Sequence, residues 1–244
     1  MELISLVLGA FTAMLATALG AAGVFFFKCL NKRNVSILLS FSAGVMLFSS
    51  IEMLLQARNS SDLTAIMGFL AGVIVLLVFE CLIPHVHMLL KKENISSAKK
   101  KAVLLVGSIS LHNIPEGFAI ASAFIYSTPL GWLVAASIAL QDIPEGFLVS
   151  GPLACYGVKS KRSFIFGVLS GVIEFASAIV GFLFLSFVVT VVPFALAFSA
   201  GAMAFVVFVE LLPDAMAGEF KKIALFSLVF GLITAFSLAS LFGF

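Results

Sequence analysis

The sequence predicts an all-α integral membrane protein with eight transmembrane helices. Of its 244 residues, 62% are hydrophobic and 11% are charged, and the mean hydropathy of +1.22 lies outside the range of soluble domains. A bilayer core requires about 20 apolar residues per helix. Eight segments meet this requirement, and the loops between them are too short for a soluble domain, so we expect residues 1–244 to form one transmembrane domain. The predicted spans, numbered 1 to 8, are 3–27, 36–56, 64–90, 101–125, 130–155, 163–189, 194–213 and 222–243.

The basic residues indicate how these spans are oriented. All but one of the 14 Lys and Arg residues fall in loops on one side of the predicted membrane, and Arg58 alone falls on the other. Loops that stay in the cytoplasm are enriched in Lys and Arg. We therefore expect a multi-pass protein of the cell (inner) membrane with both termini on the extracytoplasmic side.

The N-terminus and the cysteines allow predictions about processing and disulfide bonding. The N-terminus lacks a basic region and an obvious cleavage site, so we interpret it as the start of span 1 and not as a removable signal peptide. Cys29, Cys81 and Cys155 show no paired spacing, and the predicted orientation places them toward the cytosol, where thiols stay reduced. We therefore expect no structural disulfide.

Spans 2 and 7 share a sequence pattern. Phe41-Ser-Ala-Gly-Val-Met-Leu-Phe48 in span 2 recurs as Phe198-Ser-Ala-Gly-Ala-Met-Ala-Phe205 in span 7. The small residues favour close helix packing. Span 2 runs outward and span 7 inward, so the two copies have opposite orientation.

Spans 4 and 5 share a second pattern, which is the centre of the functional prediction. His-Asn-Ile-Pro-Glu-Gly-Phe at 112–118 is followed by Gln-Asp-Ile-Pro-Glu-Gly-Phe at 141–147. Each proline removes a backbone N–H inside a helix, so we expect a bend and a released carbonyl oxygen. Together with spans 2 and 7, these copies predict 3+2+3 inverted repeats, an arrangement typical of secondary transporters with a midplane site.

The polar residues of the second pattern fall on common helix faces. His112 and Glu116 are four residues apart, as are Gln141 and Glu145, so each pair shares a face. Ionisable residues at this depth are costly and need a reason. Counting about 1.5 Å per residue from the span ends places several polar residues and one methionine at a similar depth near the midplane. The candidate metal ligands are Met46, His112, Asn113, Glu116, Gln141, Asp142, Glu145 and Glu174.

These ligand types indicate divalent transition metals. Imidazole nitrogen suits zinc and iron, while carboxylate and amide oxygens extend acceptance to manganese and cadmium. Glu116 and Glu145 facing one another would suit a bridged pair of metals, because close carboxylates cannot all ionise without cations. The expected substrates are zinc, and also cadmium, iron or manganese, with no organic cofactor. Protons compete for the same ligands, so we expect transport to depend on pH.

Other polar residues mark the ends of a predicted transport path. Glu52 lies near the external end of span 2, and the rest lie near the cytosolic ends of spans 3 and 7. These residues are Glu52, His85, His87, Glu210 and Asp214.

Three classes of function are compatible with buried metal ligands. A divalent metal importer working by alternating access is the leading hypothesis, and the sequence does not separate a carrier from a selective channel. An intramembrane metal-dependent hydrolase or protease is the alternative, but the chain has no His-Glu-x-x-His motif and no carboxylate evidently spared as a base. A receptor or scaffold with a structural metal is disfavoured because no soluble domain is predicted. The expected partners are the lipid bilayer and metal ions, without nucleic acid, and small-residue faces permit a homodimer.

The motif of span 4 and its relative in span 5 resemble those of the ZIP (Zrt/Irt-like) divalent metal transporters. Phe-Ser-Ala-Gly-Val-Met in span 2, Pro-His-Val-His at 84–87 and Glu-Leu-Leu-Pro at 210–213 extend the resemblance over all eight spans. The resemblance implies eight helices, 3+2+3 inverted repeats and a binuclear site between spans 4 and 5. It implies that one metal binds Met46, His112, Glu116, Gln141 and Glu145. It implies that a second metal binds Asn113, Glu116, Asp142, Glu145 and Glu174, with both metals sharing Glu116 and Glu145.

Overall fold

Nearly all of the chain that the structure describes is helical. The computed structural model describes the backbone of residues 2–27, 29–92 and 97–244, and the side chains of these residues outside 82–111. This part of the chain contains no strand, which confirms the all-α prediction. Its α-helices, labelled in chain order, are α1 Glu2–Ala22, α2 Lys32–Arg58, α3 Asp62–Lys92, α4 Ser97–Tyr126, α5 Thr128–Cys155, α6 Ser160–Phe187, α7 Val192–Val206, α8 Leu212–Met216 and α9 Lys221–Phe242.

Most of these helices are long and apolar enough to cross a membrane. Seven segments of the described residues meet the length and composition of a span, and α4 contains the whole of predicted span 4. The described residues therefore give seven to eight membrane-spanning helices, as expected for an integral membrane protein. The seven segments that meet the length and composition of a span are Glu2–Phe25, Lys32–Arg58, Asp62–Cys81, Thr128–Cys155, Ser160–Phe187, Val189–Met216 and Lys221–Phe242.

Polar caps and prolines determine where α2 and α5 begin. The Asn31 side chain accepts a hydrogen bond from the backbone N–H of Asn34 at 2.8 Å, and the Ser127 hydroxyl accepts one from Leu130 at 3.3 Å. Pro129 lies in the first turn of α5, where no intrahelical partner for its nitrogen is needed. Only Ser127 separates α4 from α5. The two helices that carry the duplicated motif are therefore joined by a tight turn.

Glycines of the Phe-Ser-Ala-Gly pattern allow close helix crossings. A methyl group added at Gly44 of α2 would overlap the carbonyl oxygen of Leu228 in α9. A methyl group added at Gly201 of α7 would overlap the carbonyl oxygen of Phe69 in α3. The two copies of the pattern therefore make the same kind of contact, backbone against backbone, with different outer helices.

The long helices pack in two groups. Helices α1, α4, α5 and α6 pack on one another, with the closest pairs α1 with α5 and α4 with α6, and we call this group the site bundle. Helices α2, α3, α7 and α9 form the support bundle, with the closest pairs α3 with α7 and α2 with α9. The bundles meet mainly where α2 contacts α5 and where α7 contacts α4.

The seventh predicted span is irregular near its end. Residues Val207–Leu211 form a π-helical turn between α7 and α8, and the Leu212 N–H donates to the Val207 carbonyl five residues earlier. Pro213 follows directly and has no N–H to donate to an α-helical partner, which favours an irregular turn before it. In this turn lies Glu210, one of the predicted path residues.

The expectation that no disulfide forms is wrong for this structure. Cys29 and Cys155 are bonded to one another, with their Cα atoms 5.2 Å apart and a sequence separation of 126. The reason is spatial: Cys29 lies between α1 and α2, Cys155 is the last residue of α5, and the packing of α1 on α5 brings these ends together. Sequence spacing alone cannot reveal such a pair.

Candidate metal centre

The predicted ligands are buried where the duplicated motifs face the interior. The two copies also turn one residue outward, because Ile114 and Ile143 are each 47% exposed. Successive residues of a helix point about 100° apart, so an outward isoleucine leaves its neighbours two residues away directed inward. All eight predicted ligands are less than a tenth exposed: Met46, His112, Asn113, Glu116, Gln141, Asp142, Glu145 and Glu174.

Glycines in the same motifs hold α4 and α5 against their neighbours. A methyl group at Gly117 would overlap the carbonyl oxygen of Glu174 in α6, and one at Gly146 would overlap that of Thr17 in α1. Both glycines directly follow a glutamate of the site. The close approach therefore brings the backbones of α6 and α1 against the segments that carry Glu116 and Glu145.

Three carboxylates converge at the centre of the site. One oxygen each from Glu116, Asp142 and Glu145 lies within 4.8 Å of the others, although the residues come from two helices. The Glu174 carboxyl interacts electrostatically with Glu116 and Glu145 and contacts Asp142. Four acidic groups on α4, α5 and α6 thus share one small buried volume, where mutual repulsion is strong unless cations or protons are present.

Many oxygens of this site lack hydrogen-bond partners within the described residues. Buried polar atoms in native proteins are almost always paired, so a concentration of unpaired oxygens needs an explanation. A bound cation would satisfy these atoms, because each of them is a metal-ligand type. The unpaired oxygens are Asn113 Oδ1, Glu116 Oε2, Gln141 Oε1, both carboxylate oxygens of Asp142, Glu145 Oε1 and both of Glu174.

Gln141 is oriented by its contact with Glu116. Its Nε2 donates to Glu116 Oε1 at 2.5 Å, which leaves its Oε1 as the unpaired atom of the amide. The Ser42 hydroxyl of α2 donates to the backbone carbonyl of Gln141 at 3.2 Å and connects this part of α5 to the support bundle. The amide therefore offers oxygen and not nitrogen to any ion at the site.

His112 is engaged outside the carboxylate cluster. Its Nε2 lies 2.7 Å from Glu210 Oε1, across the contact between α4 and the π-helical turn. The sequence predicts Glu210 as a path residue but does not predict its contact with His112. The only sequence signal for the contact is Pro213, which predicts an irregular turn but not the direction of the Glu210 side chain.

The remaining path residues are at the ends of the helices. Glu52 is partly buried and accepts a hydrogen bond from Gln56 Nε2 at 2.8 Å. Asp214 is exposed and interacts electrostatically with Glu210 one turn earlier. The predictions for His85 and His87 fall outside the residues whose side chains the structure describes.

Thr17 is a site neighbour that sequence analysis missed. It is 2% exposed, its carbonyl is in contact with Gly146, and its side chain lies beside that of Asp142. Its Oγ1 donates to the Ala13 carbonyl at 3.1 Å, as a threonine inside an apolar helix commonly does. Span 1 contains two threonines, Thr12 and Thr17, and no sequence signal separates Thr17 from an ordinary helix residue.

Comparison with known proteins identifies the family of this chain. A sequence profile of the family described as ZIP zinc transporter matches residues 84–239. The chain is 35% identical over 244 residues to the zinc transporter ZupT of Chlorobaculum parvum, covering 91% of each protein. It is 35% identical over 178 residues to the zinc transporter GufA of Myxococcus xanthus, covering 72% of this chain and 70% of GufA. With a zinc transporter ZIP11 of Xenopus tropicalis it shares 41% identity over 149 residues, which is 58% of this chain and 44% of that one. The chain therefore belongs to the ZIP zinc transporter family, and it is a metal-ion transporter and not an enzyme.

Proposed function

We propose that this chain carries divalent transition-metal ions into the cytoplasm through a binuclear site near the membrane midplane, between α4 and α5. Zinc is the first substrate, as the names of its relatives suggest, and cadmium, iron and manganese are further candidates. The observation that carries the proposal is the buried group of Glu116, Asp142 and Glu145, whose oxygens lie within 4.8 Å of one another. The ions are the substrate, and no organic cofactor is included.

The proposed ligands divide into two overlapping sets. One metal binds Met46, His112, Glu116, Gln141 and Glu145. The other binds Asn113, Glu116, Asp142, Glu145 and Glu174. Glu116 and Glu145 are shared because each carboxylate has two oxygens, and in each of them at least one oxygen has no hydrogen-bond partner among the described residues.

Release of the first metal requires His112 to exchange partners. In this structure His112 pairs with Glu210, so a metal bound at His112 would compete with that contact. Glu210 and Asp214 then offer carboxylates to an ion leaving toward the basic side of the protein. We propose that Glu52 lies on the path of entry and that Glu210 and Asp214 lie on the path of exit, together with His85 and His87.

Two packing features support inverted repeats and alternating access. Gly44 and Gly201 make equivalent contacts in α2 and α7, and Gly117 and Gly146 make equivalent contacts in α4 and α5. Seven of the eight proposed ligands belong to the site bundle, and Met46 alone belongs to the support bundle. Movement of the site bundle against the support bundle would therefore carry the carboxylates together while changing the surroundings of the ions.

Zinc uptake by proteoliposomes tests the proposal directly. The full chain is reconstituted with a zinc-sensitive dye inside, and the double variant Glu116→Ala with Glu145→Ala is compared with wild type. We expect the double variant to lose uptake, because it removes both shared ligands. Glu219→Ala is the matched control, since Glu219 is an exposed carboxylate beyond α8. Unchanged uptake in the double variant would refute the site.

A further inference from the structure

The bond between Cys29 and Cys155 joins the segment that connects the two bundles to α5, the helix that carries three of the eight proposed metal ligands. Cys29 lies between the 3₁₀ turn Gly23–Phe25 and α2, in the segment where the chain passes from the site bundle to the support bundle. Cys155 ends α5, the helix of Gln141, Asp142 and Glu145. The bond therefore fastens the connecting segment to the site bundle.

Both cysteine residues are exposed and lie close in sequence to basic residues. Lys32 and Arg33 follow Cys29 closely, Lys159 follows Cys155, and all three basic side chains are exposed. Positive charge near a thiol favours the thiolate, which is the form that attacks a disulfide.

The same basic residues define the predicted cytosolic side. Thiol pools keep cytosolic cysteines reduced, and exposed disulfides are the ones that reducing thiols break most readily. A bond at this position is therefore expected to open and close with the redox state of the compartment, unlike the buried disulfides of secreted domains.

The bond shortens the tether between the bundles. Only Leu30 and Asn31 separate Cys29 from Lys32, the first residue of α2. An extended chain spans at most about 3.6 Å per residue, so Lys32 lies within roughly 11 Å of Cys29. When the bond is formed, Cys29 is itself fixed to the end of α5. Without the bond, the connection from Phe25 to Lys32 could reach roughly 25 Å. Oxidation thus reduces the range over which the two bundles can move apart at this end.

We propose that Cys29 and Cys155 form a reversible thiol–disulfide site that reacts with small-molecule disulfides and thiols, and that its oxidation slows metal transport. The effect on transport rests on the proposed function, because it requires movement between the bundles. In the oxidising direction, one cysteine thiolate attacks a sulfur of the small disulfide and releases one small thiolate. The second cysteine thiolate then attacks the sulfur of the first cysteine and releases the second small thiolate. Two protein thiols lose two protons and two electrons, and the small disulfide is reduced to two thiols.

Redox-controlled uptake measurements test this inference. Full-length protein in proteoliposomes is equilibrated with oxidised or reduced glutathione, and zinc uptake is measured together with intact mass and thiol content. We expect the oxidised protein to be lighter by two hydrogens and severalfold slower in uptake. Cys29→Ser and Cys155→Ser should each keep the rate of reduced wild type under both conditions. Cys81→Ser, the matched control, should respond to glutathione like wild type.

Equilibrium zinc binding separates this inference from the proposed function. We expect oxidised and reduced protein to bind zinc equally, because the bond lies at the end of α5 and not among the ligands. Equal uptake rates in both forms, or failure of the bond to form with oxidised glutathione, would overturn the inference even if zinc binds. Absence of zinc binding in both forms would overturn the proposed function and the transport effect with it.

Discussion

At the scale of single residues, the chain keeps acidic groups together in a buried space where several of their oxygens have no hydrogen-bond partner among the described residues. Glu116, Asp142 and Glu145 share one small volume, and their unpaired oxygens belong to groups whose desolvation is unfavourable. If the protein were stabilised only by its own contacts, replacing these acidic residues by apolar ones would increase its free energy of unfolding. The arrangement is understandable if the protein is built for the ion-bound state.

Replacing one carboxylate by its amide should therefore have opposite effects on stability and on binding. We expect Glu145→Gln to raise the unfolding temperature of the metal-free protein in detergent, because it removes repulsion among neighbouring acidic groups. Mutation of a residue that only supports a metal ligand typically lowers metal affinity roughly 10–100-fold. We expect zinc affinity to fall by at least this much in Glu145→Gln, because Glu145 is itself a proposed ligand. Thermal unfolding and zinc titration of the purified protein measure the two effects. Glu219→Gln should change neither, and a loss of stability in Glu145→Gln would contradict the account.

Gln141 should influence which ion is preferred. Its amide presents an oxygen, a harder ligand than imidazole nitrogen, and its Nε2 is occupied by Glu116. We expect Gln141→His to increase the preference for zinc over manganese in competition uptake assays. Asn59→His, in the exposed turn after α2, is the control for adding a histidine. An unchanged zinc-to-manganese ratio would show that this position does not contribute to selectivity.

The sequence was sufficient to predict burial of all eight candidate ligands, because helical spacing and span depth determine which residues face inward. It was insufficient for the contact between His112 and Glu210. Those residues belong to different spans, and their meeting depends on how α4 packs against α7, the helix that the π-helical turn follows. Thr17 was missed for a related reason, since its position beside Asp142 follows from the crossing of α1 and α5.

At the scale of elements, glycine contacts determine the distance between the helices that form the site. Gly146 allows α5 to approach the Thr17 carbonyl of α1, and no larger residue fits without separating the helices. The same crossing places Thr17 beside Asp142. Helix packing and ligand geometry are therefore coupled at this position.

A single methyl group at that crossing should disturb both. We expect Gly146→Ala to lower the free energy of unfolding by about 1–3 kcal/mol, as overpacking of a tight contact does, and to weaken zinc binding. Thermal unfolding and zinc titration in the same detergent measure the two quantities. Gly218→Ala is the matched control, since nothing lies within 4 Å of the methyl group it would add. Equal stability of the two variants would show that the crossing can relax.

The irregular turn between α7 and α8 was only partly visible in the sequence. Pro213 indicates that a regular helix cannot continue unchanged, but a bend, a 3₁₀ turn and a π-helical turn all satisfy that condition. The outcome depends on tertiary contacts, here those of Glu210 with His112. Local sequence therefore locates the irregularity without determining its form.

At the scale of the whole molecule, the fold class followed from composition and the bundles did not. Apolar segments of span length predict membrane helices irrespective of how they pack. The division into site and support bundles depends on which helices pair, and no periodicity in a single apolar helix reveals its partner. The Cys29–Cys155 bond belongs to the same category, because it joins elements that are distant in sequence.

The orientation of the molecule can be tested at two loops. In a variant whose native cysteines are replaced by serine, we expect Asn59→Cys to react with a membrane-impermeant maleimide added outside intact cells. We expect Glu219→Cys to react only after the membrane is opened, because its loop lies on the basic side. Both positions are exposed, so accessibility is matched. The reverse labelling pattern would contradict the predicted orientation and the positions proposed for the entry and exit of the path.

The outward isoleucines of the duplicated motifs bring the surroundings of the protein close to the candidate metal centre. Ile114 and Ile143 adjoin Pro115 and Pro144 and face the surroundings of the bundle, while the candidate ligands near them are buried. Less than one turn of helix thus separates each outward isoleucine from the nearest candidate ligand. Bilayer thickness and fluidity should then influence the coordination chemistry itself, so the ion affinity of this protein is a property that the membrane shares in setting.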